Sequence, residues 1–262
     1  RDIARAVQEH AEAAVDQALA ASSGHEEARL LLAGLLASRE AWPRFLDVVE
    51  AMPESMLEAE DLARHVLRCW EALEQDLALA LRAAKLLLRL DPTHLDAMRL
   101  VANRMEAAGQ ADEAEVFWRR LDDQSDRLEA EERYVLDLHL ANLDFARGRT
   151  DAAEQRLNRC VTARPDDPGP RAFLHKLYSG GRRFEDRVRL LLDEAERADS
   201  DHLRYEKLRS AAQLMEQELG DPAGAATLFE DVVLREPERL EAWRKLAELR
   251  RLTNEPAAQV VA

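Results

Sequence analysis

The chain has 262 residues and a formal net charge of −15, from 37 Lys and Arg against 52 Asp and Glu. That balance argues against a duplex nucleic-acid partner, since phosphate contacts need a positive footprint. At 47% hydrophobic, 34% charged and 5% aromatic, rich in Ala, Leu, Glu and Arg, the chain reads as helix throughout, with no defensible strand.

Asp2 to Ala21 is the first predicted helix, with a stripe through Ile3, Val7, Ala11, Val15 and Leu19. Ser22, Ser23 and Gly24 break it, and a helix from His25 to Ala37 carries Ala28, Leu31, Leu32 and Leu35. Trp42-Pro43 starts a short helix that Pro53 stops, and 39–54 fits no repeat, so it reads as an irregular or capping insertion. Ser55–Leu73 and Asp76–Leu90 form the next pair, with Ala80, Ala84 and Leu87 facing inward.

Asp91 to Leu121 is the clearest hairpin. Met98, Val101, Ala102 and Met105 make one stripe, Gly109 the turn, and Ala114, Trp118 and Leu121 the second stripe. Asp91 is the expected N-cap, and Ala114 lets the two axes approach closely. Asp126–Ala146 follows as a longer helix, then Gly148, then Ala153, Leu157 and Cys160. The run ARPDDPGP is the strongest break, yet it is only a repeat junction. Arg171–Ser179 and Arg183–Ala198 pair around Gly180-Gly181, and His202–Leu219 pairs with Ala223–Leu234 around Gly220. Leu240–Leu252, with Trp243, Leu246 and Ala247, has no partner helix after it.

Turn glycines at 109, 148, 181 and 220 are separated by 39, 33 and 39 residues, and prolines at 92, 165 and 237 by 73 and 72. This beat and the slots Met98, Val101, Ala102, Met105, Gly109, Ala114, Trp118 and Leu121 resemble the tetratricopeptide repeat family. The departures are Met98 for Trp, Leu121 for Ala and Asp126 for the closing Pro. The resemblance implies an all-α solenoid of antiparallel helix hairpins wound into a right-handed superhelix. Residues 1–54 would be a degenerate first repeat with its insertion. Residues 55–262 would be about five repeats, the last incomplete, continuous with the first region.

In that family the first-helix positions away from the packing stripe face the concave groove. By slot these are Arg99, Asn103 and Glu106, then Leu138 and Asn142, then Arg171 and His175. An amide at equivalent slots, Asn103 and Asn142, offers donor and acceptor to the backbone of an extended peptide. Arg99 with Asn103 also resembles the first part of a carboxylate clamp, but Leu138 and His139 stand where further Asn or Lys would be wanted.

Catalytic patterns are scarce. The seven histidines are scattered and form no metal motif, and no P-loop, Gly-rich nucleotide fingerprint or nucleophile elbow occurs. Cys69 and Cys160 read as buried thiols and the four tryptophans as core fillers. Gly180-Gly181-Arg182-Arg183 offers either an anion site at a helix start or two exposed arginines.

No apolar stretch approaches membrane-spanning length. Arginine outnumbers lysine, which occurs only at 85, 176, 207 and 245, as expected of a GC-rich bacterial genome. The chain opens at Arg1 inside a predicted helix, as a piece of a longer bacterial protein of cytoplasm or periplasm would. The expected function is non-catalytic: a scaffold that holds a protein or peptide in its groove, without cofactor, metal or nucleic acid. A structural module that self-associates and an accessory domain of a larger enzyme are the alternatives.

Overall fold

A computed structural model describes residues 10–15, 17, 26–58, 60–73 and 76–254. The expected stripe positions Ile3, Val7 and Leu19, and the break at 22–24, lie outside the described residues. Among the described residues every regular element is a helix. Two compact units divide the chain, residues 1–129 and 130–262.

The first unit holds α1 (Glu26–Ser38), α2 (Trp42–Glu50), the single turn α3 (Glu54–Leu57), α4 (Glu60–Ala72), α5 (Leu77–Leu90), α6 (Leu95–Ala107) and α7 (Ala111–Asp122). Helices of this length are marginal alone in water, so each buries its apolar stripe on a neighbour. They pair as α1/α2, α4/α5 and α6/α7; α1 stacks on α4 and α2 on α5, first helix on first and second on second. The segment expected to be an irregular insertion is therefore the second helix of a hairpin. Trp42, Phe45, Leu46 and Val49 bury its inner face, while Asp47 and Glu50 on its outer side accept from Arg82 of α5 at 2.6 and 2.9 Å. Before α1, Glu12 in a helical stretch accepts from Arg44 at 2.7 Å and also from Arg39.

In α1 the buried face is Leu32, Ala33, Leu36 and Ala37. Of the expected stripe, Leu32 is on that face, Ala28 and Leu35 are half-buried, and Leu31 is 58% exposed. The sequence LLLAGLLA is apolar on more than one side, so periodicity alone does not select a face. The cap of α6 also differs from expectation. His94 Nδ1 accepts from the Ala97 N–H at 3.3 Å, whereas Asp91 closes its own turn by accepting from Thr93 N at 2.9 Å and Thr93 Oγ1 at 2.7 Å. The α6/α7 stripes are otherwise as read, with Met98, Val101, Ala102, Ala114, Trp118 and Leu121 buried and Met105 partly so.

The second unit holds α8 (Ala130–Ala146), α9 (Thr150–Ala163), α10 (Pro168–Gly180), α11 (Phe184–Glu196), α12 (Asp201–Gln217), α13 (Pro222–Arg235) and α14 (Leu240–Asn254). The pairs are α8/α9, α10/α11 and α12/α13, and α14 packs on α13. Instead of helix from Asp126, the chain makes a 3-10 turn at Ser125–Arg127, then extends at Leu128 (φ −84°, ψ 143°). Between α8 and α9 lies a buried ion network. Arg156 donates through Nη1 to Asp137 and through Nε to Asp144, both at 3.1 Å, while Arg159 and Arg149 approach the same carboxylates from outside. Asp137 and Asp144 are seven residues apart on α8, a spacing that puts them on one face.

Both thiols are buried and free, and burial pushes each up to about 12. Trp42 and Trp118 fill the core and Trp70 packs at its edge, but Trp243 is 46% exposed. The inward stripe of α14 runs through Ala242, Leu246 and Leu249; Leu246 is buried as expected, whereas Trp243 lies outside the stripe and donates to the Pro237 carbonyl at 2.9 Å.

Gly109, Gly148 and Gly220 end their helices with φ of 78°, 74° and 63°, the left-handed cap that costs Gly little. In the α10/α11 turn the strain is displaced by one residue: Gly181 has φ −85°, and Arg182 takes φ 53°. Replacing Arg182→Gly relieves that conformation and should raise unfolding stability by about 0.5–1 kcal/mol in urea titration, after allowing for the looser unfolded chain. The hairpin register has its own test. Ala114→Leu overpacks a position of 0% exposure and should cost about 1–3 kcal/mol, whereas Glu113→Leu on the open face should stay within about 0.5 kcal/mol. Glu115 does not serve as the silent control, because its side chain is 16% exposed and pairs with Arg119 at 3.2 Å.

Candidate binding surface

The groove residues expected in the first unit lie on α6. Arg99, Asn103 and Glu106 follow at spacings of four and three, beside the buried stripe. Asn103 is exposed, Glu106 half-buried, and Arg99 donates to Asp96 one turn earlier. These three form a polar strip on one helix.

In the second unit Leu138 and Asn142 lie on α8. Asn142 is exposed and its amide donates to the Leu138 carbonyl at 2.9 Å. Leu138 turns partly inward instead, packing at the edge of the cluster of Ala141, Ala153, Leu174 and Leu177, as an aliphatic side chain beside an apolar stripe will.

Arg171 and His175 on α10 are brought together with groups that sequence reasoning missed. Arg171 is 7% exposed; its Nη1 donates to the Pro165 carbonyl and its Nη2 lies 3.8 Å from Asp193 of α11. Among the described residues its Nε and Nη2 are buried without a hydrogen-bond acceptor. His175 Nε2 lies 3.1 Å from Glu194 Oε2. A carboxylate only accepts, so that nitrogen carries the proton; among the described residues Nδ1 is buried without a hydrogen-bond partner. Lys207 of α12 donates to the same Glu194 oxygen at 2.8 Å. Burial pushes the Glu194 carboxyl up, but the hydrogen bonds from His175 and Lys207, with their charge, outweigh it and hold it below its ordinary value. Pro165, Arg171, Glu194, Arg197, Leu203 and Lys207 line an open cleft of about 460 Å³ beside this cluster.

The hairpin that carries this cluster differs from its neighbours at the crossing. The residue five after the left-handed turn position is Ala114, Ala153 or Ala225 in three hairpins, all at 0% exposure, but Arg187 in α10/α11. Arg187 Nε is also buried without an acceptor among the described residues. Where the neighbouring hairpins place a small residue, this one places a charged one. Absence of Ala at that slot was the available signal.

The pair Arg182-Arg183 does not form an anion site as the alternative reading expected. Arg183 is taken up by Glu154 and by Asp186 at 2.7 Å, with its guanidinium 5.0 Å over the Tyr178 ring.

No family model matches the chain, and no curated protein does. Among solved structures, it is similar to the Naa15/Naa10 complex bound to HypK-THB at 14% identity and TM-score 0.41, covering 86% of this chain and 39% of that one. A tetratricopeptide repeat protein from Parabacteroides merdae is 14% identical at TM-score 0.31, with 95% and 94% covered. The nearly identical TPR-like repeats of a Podospora anserina kinesin light chain are 22% identical at TM-score 0.39, with 78% and 99% covered. Among the described residues the fold is an all-α stack of helix hairpins. Among the described residues no helix is long and apolar enough to cross a membrane.

Glu194 supplies a pH test. Its folded pKa is depressed, so its contribution is present above the ordinary value of 4.5 and is lost as pH falls through the folded value. Glu194→Gln should therefore lower stability by about 1–3 kcal/mol at pH 7, and the two proteins' denaturation midpoints should converge at acid pH.

Proposed function

We propose that this chain is a non-catalytic protein–protein interaction scaffold that holds a peptide or protein segment on the polar faces of its first helices, within a larger bacterial protein or assembly. The single observation that carries the reading is the convergence of His175 and Lys207, from two first helices, on Glu194 beside an open cleft. A side-chain cluster with buried hydrogen-bonding capacity left over, next to a solvent-open cleft, suits a polar segment better than it suits plain structural packing. Asn103 and Asn142 extend the same kind of surface, each on the exposed side of a first helix. Protein binding by repeat hairpins needs no chemistry beyond a preformed surface, so affinity comes from complementarity and little ordering cost.

One observation favours a second reading, self-association. Helix α14 leaves the large apolar side chains Leu240, Trp243 and Leu252 exposed, and such surface is of the kind that contacts use.

Pull-down from the source organism tests the first reading. Asn103→Ala with Asn142→Ala and Lys207→Ala should weaken the captured partner about tenfold or more, with the far-ultraviolet circular dichroism spectrum unchanged. Undiminished capture by the folded triple variant would remove the polar first-helix faces from the interaction.

A further inference from the structure

The first unit carries a second cleft, of opposite character, between α1 and α4. Leu30, Leu31 and Leu35 of α1 and Leu62 of α4 line its walls, and its volume is about 480 Å³. Glu27 and Asp61, near the starts of the two helices, stand at its mouth, and His65 lies along one side. Gly34 lies among the lining residues in the middle of α1.

A glycine inside a helix is destabilising relative to Ala and needs a reason. Packing supplies none here. The backbone at Gly34 is ordinary helix, and among the described residues an added Cβ would meet only His65 Nε2, at 4.0 Å. The missing side chain keeps the cleft open. Among the described residues His65 Nδ1 is buried without a hydrogen-bond partner beside this space. Leu31, more than half exposed, adds apolar surface at the rim, on the side of α1 away from its buried face.

Charge decides what kind of segment fits. From Glu26 to Leu73 the chain has ten carboxylates and five arginines, a net of −5. Asp61 pairs with Arg64 at 2.5 Å, but both are exposed, and such a surface pair exchanges partners at little cost. A second copy of this chain, itself at −15, meets the mouth with like charge.

We propose that the α1/α4 cleft docks a cationic amphipathic segment of another protein. An aliphatic or aromatic side chain sits over Gly34, and Lys or Arg about one helical turn away engages Glu27 and Asp61. This rests on the scaffold reading and adds a site and a partner chemistry to it.

Selection of random phage-displayed peptides on the full chain, followed by fluorescence anisotropy with the enriched peptides, tests it. Enriched sequences should pair an apolar anchor with Lys or Arg three or four positions away. Their Kd should weaken about tenfold or more in Gly34→Leu, which fills the cleft, by less in Gly34→Ala, and also in Glu27→Gln with Asp61→Asn. Thermal melts of both Gly34 variants should stay at or above the original midpoint, which separates a filled site from a damaged fold. Peptides that bind the original chain and Gly34→Leu equally would overturn the cleft and leave the scaffold reading standing. A selection with no enrichment, or with acidic winners, would overturn the partner chemistry. Sedimentation showing a dimer that Gly34→Leu dissolves would give the cleft to a second copy instead.

Discussion

The constraint on which this structure depends is the distance between two paired helix axes. None of these helices buries enough apolar surface by itself to stay folded in water, so stability comes from how closely each hairpin closes. Ala114, Ala153 and Ala225, fully buried, sit where the axes meet, and the larger residues Trp118, Leu157 and Phe229 fill the space a turn further on. That alternation of small and large sets the hairpin geometry, and stacking of one hairpin on the next follows within each unit.

The exception shows what the constraint does. In α10/α11 the small residue is replaced by Arg187, and the hairpin carries Arg171 buried and His175 half-buried, with Asp193 at their outer edge. A repeat that closes on alanine has no room for such groups. Exchanging the small residue for a charged one thus goes together with hydrogen-bonding side chains in the same hairpin. The cleft in the first unit arises differently, because α1 is apolar on two faces and one of them is left over after its core is formed.

Legibility followed the strength of the pattern. In α6/α7 and α12/α13 large, small and Gly positions coincide, and the burial of Val101, Ala114, Ala225 and Phe229 could be read directly from spacing. In α1 three consecutive leucines gave no preferred face, so Leu31 was placed inward when it lies outward. His94 was missed as a cap because Asp91 is the stronger capping type, and only the turn geometry shows it engaged elsewhere. Of the proposed contact residues, Arg171 and His175 were nominated by slot. Their partners Asp193, Glu194 and Lys207 come from other helices, a tertiary relation that periodicity within one helix does not encode.

The Asp137–Arg156–Asp144 network bears on how such a hairpin keeps its alignment. Apolar stripes are forgiving of sliding, since leucine beside leucine is much the same one turn along. One guanidinium gripping two carboxylates seven positions apart is not, because axial slippage of α9 along α8 would strand charges in a medium that solvates them badly. The second unit therefore owes the alignment of its first hairpin to a penalty against misregistration more than to any net gain from the ions. Sequence drift at these three positions would have to proceed by joint replacement.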